Sequence, residues 1–230
     1  MSVLGSFVRA VDALNGLIGR ATAWLVLAPF SRAWRGPAHA FVSFGFDDST
    51  YLAISIEARR EPDETYGLLR GLARNFELMY VLGDERDLIG RRAVGEFDVY
   101  LYPIVAPRER IRDVLIDMLE RAETLRHRPE FYNTLTDNCT SNLVRHVNRV
   151  VPGRIPVGPR LLLPGYVDEV AAGLGLIDGA RSVDAARARY RITDRARAAL
   201  GHPDFSERIR TDRPEPPTPS APRPDPAALR

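Results

Sequence analysis

The chain has 230 residues, with one cysteine, Cys139, and four histidines, His39, His127, His146 and His202. These are the side chains best suited to act as nucleophile or general base near neutral pH. Thr134, Thr136, Asp137 and Asn138 crowd up to the cysteine, and Leu143, Val144, Val147 and Val150 follow it at helical spacing. The pattern predicts a helix with Thr136, Asp137 or Asn138 as its N-cap and Cys139 in its first turn. A thiol in the first turn meets the positive end of the helix dipole and unpaired backbone N–H groups, which favour the thiolate. Asp137 works against this, because a nearby carboxylate raises a thiol pKa. The plainer reading makes Cys139 a small buried hydrophobe.

A nucleophilic thiol needs a base. His146 lies seven residues after Cys139 on the same predicted helix, a rise of about 10 Å, which makes it a surface or packing residue. His127 closes the preceding helix, where a cation suits the dipole. His202 sits in a loop near the tail. His39 opens an apolar, aromatic-rich segment, HAFVSFGF, that alternates as a strand does. A cysteine at a helix start packed on a strand that carries histidine is the papain-like arrangement. Here the histidine precedes the cysteine, the order of a circularly permuted version. Ser55 and Glu57 on the next predicted strand are candidates to orient the imidazole, depending on the register. Asn138, and the amides of Cys139 and Thr140, could supply the oxyanion donors.

These residues need a sheet and helices to hold them. His39–Phe46 and Tyr51–Ala58 read as a hairpin, Phe76–Leu82 and Phe97–Val105 as further strands, with Pro103 placing the last at an edge. The segment 66–74 reads as a short helix or irregular stretch. Ile111, Val114, Leu115, Met118, Leu119, Ala122 and Leu125 form one face of a helix begun by Pro107 and ended by Pro129. Shorter helices are expected over 166–173, 184–190 and 193–200. Residues 1–33 read as an N-terminal helix and a possible membrane-associated segment, although Arg20 cuts the apolar run below bilayer-spanning length. Residues 34–210 form the expected catalytic domain. From 211 the tail is expected to be disordered, since seven of its last eighteen residues are proline.

Composition narrows the classes. All 32 basic residues are arginine, set against 30 acidic ones, for a net charge of +2. The arginines are interleaved with acids, which argues against nucleic acid as a partner. One cysteine excludes an internal disulfide and a multi-cysteine metal site. No metal or cofactor is expected. Arg59, Arg60 and Arg86 could bind a phosphate or carboxylate, or could pair with Glu61, Glu85 and Asp87 as a solvated network.

The segments His39–Phe46, Ile54–Glu61, Glu77–Val81, Asp84–Ile89, Val99–Pro103 and Pro129–Thr140 together resemble the Lnb N-terminal periplasmic domain family, as do Leu163–Tyr166 and Asp204–Ser206. The resemblance covers about residues 36–210. It implies an α+β, circularly permuted papain-like fold related to NlpC/P60 enzymes, with an antiparallel sheet packed on helices. It implies Cys139 as nucleophile and His39 as base. By analogy with lipoprotein intramolecular transacylase, it implies a thiol-dependent acyltransferase working through an acyl-thioester. The substrate would be lipid-linked, such as a diacylated lipoprotein, at a membrane surface on the periplasmic face of the inner membrane. Two alternatives remain open: a cell-envelope cysteine amidase or peptidase, in which water resolves the thioester, and a non-catalytic envelope binding module. Asp137 stands where the family often has Asn.

Overall fold

Within the segment from Ala21 to Phe30, Thr22–Pro29 is an interior strand of the sheet, where the sequence predicts the end of a helix. In the computed structural model, which describes residues 21–30, 36–46, 49–59, 76–95, 98–156, 158, 163–177 and 182–211, strand β1 runs Thr22–Pro29. It pairs antiparallel with β2 (Ala38–Gly45) on one side and with β5 (Tyr100–Pro103) on the other. The reason for the difference is burial on both faces. A strand covered on both sides has no polar alternation to show, so a short apolar run reads equally well as buried helix.

Strand β3 (Tyr51–Arg59) and β4 (Glu77–Gly83) complete an antiparallel sheet of order β4-β3-β2-β1-β5. The predicted hairpin is present, with Val42 opposite Ile54 and Gly45 opposite Tyr51. Pro103 lies on the edge strand, as its missing N–H requires. Strand β5 is shorter than expected, and Asp84–Leu88 is the start of a helix, α1 (Glu85–Ala93), capped by the Asp84 carboxylate. The expected element at 66–74, Arg60, residues 1–20 and the tail from 212 lie outside the described residues.

The sheet carries an apolar layer on each face. On one, α2 (Arg108–His127), α3 (Cys139–Val150), α4 (Val167–Gly173) and α5 (Val183–Tyr190) contribute Leu115, Met118, Leu143, Val167 and Tyr190. These pack against Ala23, Leu25, Ala40, Val42 and Ile54 of the strands. On the other, α1, α6 (Thr193–Ala199) and α7 (Phe205–Arg208) cover Val26, Phe41 and Leu101. The second layer encloses a charged knot. Glu85 is fully buried and accepts from Ser43 and from Nη1 and Nη2 of Arg210, whose guanidinium stacks on Trp24 and Tyr51. This ties the far end of the chain to the middle of the sheet.

Leu27 is buried at 1% exposure on the interior strand β1. Leu27→Ala is expected to destabilise the protein by about 2–5 kcal/mol, read by urea denaturation. A change below about 1 kcal/mol would contradict an interior position for this strand.

Candidate functional site

Helix α3 begins at Cys139, which the sequence places in the first turn, and of the three candidate caps it is Asn138 that caps it. The Asn138 side chain accepts from the Ser141 amide at 2.8 Å, and the Asn138 amide donates to the Ser141 hydroxyl at 2.9 Å. This reciprocal box satisfies two of the donors that a helix start leaves open. Asn138 also donates from its side chain to the Thr134 carbonyl at 2.7 Å, which ties the polar run to the cap. Asp137 points away from the thiol and pairs with Arg145 at 2.8 Å.

The thiol is 3% exposed. Burial pushes its pKa above the ordinary value. Hydrogen bonding from the Ala40 amide, the Thr140 hydroxyl and the amides of Thr140 and Cys139 partly offsets this. The expected help from the helix start is present, but desolvation outweighs it, so the resting group is a protonated thiol. Ala40 is the residue after His39, so β2 delivers the histidine beside the cysteine.

His39, Ser55, Glu57 and Arg92 form one chain of hydrogen bonds. His39 Nε2 lies 2.6 Å from Ser55 Oγ, the Ser55 hydroxyl donates to Glu57 at 2.8 Å, and Arg92 of α1 donates to the same carboxylate oxygen at 2.8 Å. Glu57 can only accept, so it takes the one proton of the Ser55 hydroxyl. Ser55 must then accept from Nε2–H, and the imidazole lone pair is left on Nδ1. Burial lowers the pKa of His39, as does the positive charge of Arg92, and Glu57 opposes them only in part. Burial also resists ionisation of Glu57. The charges of His39 and Arg92 and the hydrogen bonds from Ser55 and Arg92 overcome it, and the carboxyl is held below its ordinary value. The ring is a neutral base with its tautomer fixed. It leans on Phe41, at 5.5 Å between ring centroids, and makes no hydrogen bond to the thiol.

The other expected residues separate. Thr140 is fully buried, with its hydroxyl 4.0 Å from the sulfur. Arg59 is exposed and paired with Glu77 at 2.9 Å. Arg86 is exposed on the first turn of α1, beyond the opposite end of β4 from Glu77. Arg59 and Arg86 thus stand apart, and Arg60 lies outside the described residues. The guanidinium that reaches the site is that of Arg92, near the end of α1. The sequence hides it, because its link to Glu57 depends on α1 folding back across β3.

His146 is a packing residue with full polar partnership. Its Nδ1 lies 2.5 Å from Asp117 of α2, and its Nε2 lies 2.6 Å from the Tyr80 hydroxyl of β4. Arg149 also binds Asp117, at 2.9 Å. This relay fixes α3 in rotation against α2 and β4, two helical turns from Cys139. The signal that could have found it is Asp117, one turn after Asp113 on the flank of an otherwise apolar helix face.

The site belongs to an α+β domain in which a buried cysteine opens a helix beside a strand histidine held by a serine–carboxylate chain. The family model of the Lnb N-terminal periplasmic domain matches residues 20–165, and the chain belongs to that family. The match takes in β1 and ends at the short 3-10 turn Pro164–Tyr166. No curated protein and no solved structure matches the chain. Membership supports an envelope-related role and a periplasmic location. No helix among the described residues is long and apolar enough to cross a membrane.

His146→Ala leaves the Asp117 carboxylate and the Tyr80 hydroxyl without their shared partner. It is expected to cost about 3 kcal/mol of stability, measured by urea denaturation. A loss under about 1 kcal/mol would mean that the relay does not fix α3.

Proposed function

We propose that the protein is a thiol-dependent acyltransferase acting on a lipid-linked substrate at the periplasmic face of the inner membrane, with Cys139 as nucleophile and His39 as base. The observation that carries this reading is the state of His39. Its Nε2 is held by Ser55, its Nδ1 keeps the lone pair, and the thiol rests against the next amide along β2. The order of histidine before cysteine supports a permuted papain-like site.

In this reading Nδ1 takes the thiol proton as sulfur attacks an ester carbonyl. A C–S bond forms and the C–O bond breaks, and the imidazolium returns its proton to the leaving alcohol oxygen. An amine then attacks the thioester carbonyl, forming C–N as C–S breaks, and the sulfur recovers a proton. In this reading the amides of Ala40, Cys139 and Thr140, which favour negative charge on the sulfur, stabilise the oxyanion at both stages. Because the resting thiol is protonated and the imidazole neutral, proton transfer accompanies attack and no ion pair forms beforehand.

The decisive experiment is intact mass after incubation with a diacylated lipopeptide, with Cys139→Ser alongside. An acyl-sized increment, labile to hydroxylamine and absent from the variant, is expected, followed by acyl transfer to the peptide amine. Release of free fatty acid without N-acyl product would make the protein a hydrolase. No increment at all would leave the binding-module reading.

The pH profile follows from the groups around His39. The acid limb of kcat/KM is expected below the ordinary histidine value of about 6.5. Arg92→Gln removes a charge that lowers the imidazole pKa and should move the limb up in pH. Glu57→Gln removes one that raises it and should move the limb down. Unchanged limbs in both variants would exclude His39 as the base.

A further inference from the structure

A second feature lies at the other end of α3 and is not explained by the thiol chemistry. Between the sheet and helices α2, α3 and α4 there is a cavity of about 330 Å³ with almost wholly apolar walls. Leu25, Val42 and Phe44 form its floor, and Leu143 and Val147 line its side. Cys139 and His39 are not part of it. Its mouth is marked by the partly exposed residues where α2 begins and α3 ends, and two arginines stand there, Arg110 and Arg154. Arg110 reaches the Val150 carbonyl at 3.5 Å and has Asp113 at 3.8 Å. Arg154 donates to the Leu174 carbonyl at 2.6 Å and has no carboxylate partner among the described residues.

An apolar hole of this size in an ordered domain is costly to leave open, because its walls lose contact partners. The volume falls at the low end of small-molecule sites, about 300–1,000 Å³. It suits one hydrocarbon chain and not two. The arginines at the rim set the polarity of the other end, since a guanidinium pair favours a carboxylate. We propose that this cavity binds a single long-chain fatty acid, its chain along Phe44 and Val147 and its carboxylate at Arg154 and Arg110. Residues 1–20 are the rival occupant, because they end three residues before Ala23, which lines the cavity. That segment carries Arg9 and Arg20 against one acid, Asp12, and so does not complement Arg154.

The test uses the full chain carrying Cys139→Ser, so that no acyl transfer can consume the ligand and the outcome is independent of the proposed activity. The probe is 11-(dansylamino)undecanoic acid, followed by its fluorescence. Saturable binding of one probe per chain is expected. Lauric acid should displace it at about tenfold lower concentration than 1-dodecanol, the advantage of one charge-assisted contact. Arg154→Gln should bring the two competitors close to parity. Val147→Trp should weaken the probe at least tenfold with an unchanged circular dichroism spectrum. Leu176→Trp, on a partly exposed part of the wall, serves the same purpose if the first variant does not fold. Three results would overturn the proposal: no saturable binding by the full chain, as expected if residues 1–20 fill the groove; equal competition by lauric acid and dodecanol; or unchanged affinity in both folded tryptophan variants.

Discussion

The start of α3 is buried, and a buried helix start is the constraint on which the rest of this structure depends. It presents backbone N–H groups that water cannot reach. The Asn138–Ser141 box satisfies two of them, and the Thr134 carbonyl holds the cap in place. The first-turn amides and the Ala40 amide from β2 favour negative charge on the sulfur of Cys139. Several donors thus converge on one atom in a desolvated place. That suits a group that develops negative charge during a reaction better than one that carries it at rest. The raised thiol pKa and the convergent amides are two results of the same burial.

The relation of α3 to the sheet is therefore the quantity that must be held fixed. Two polar systems hold it. The Asp117–His146–Tyr80 relay sets the rotation of α3 against α2 and β4. The Arg92–Glu57–Ser55 chain sets the tautomer of His39 from the other layer of the sheet. Buried polar networks of this kind are costly unless every member is satisfied. Here every member has a partner except Nδ1 of His39, the atom that a base must leave open. Farther from the site, Arg210 clamps Glu85 and stacks on Trp24 and Tyr51, which closes the second layer with the last described helix.

The sequence alone determined a helix with Cys139 in its first turn and a polar cap among Thr136, Asp137 and Asn138, the β2–β3 hairpin, the long α2 and the edge position of Pro103. Each rests on local chemistry: turn-forming side chains, period-two or period-3.6 patterns, or a missing N–H. It also placed His39, Ser55 and Glu57 on neighbouring strands, because the hairpin leaves few registers. Tertiary structure alone decided three things. Val26 and Leu27 lie on an interior strand and not a helix, since burial on both faces erases the pattern that separates the two. Arg92 and not Arg86 reaches Glu57, since that depends on how α1 folds back. Cys139 rests as a thiol, since desolvation by the packed layers outweighs the helix amides that the local sequence supplies.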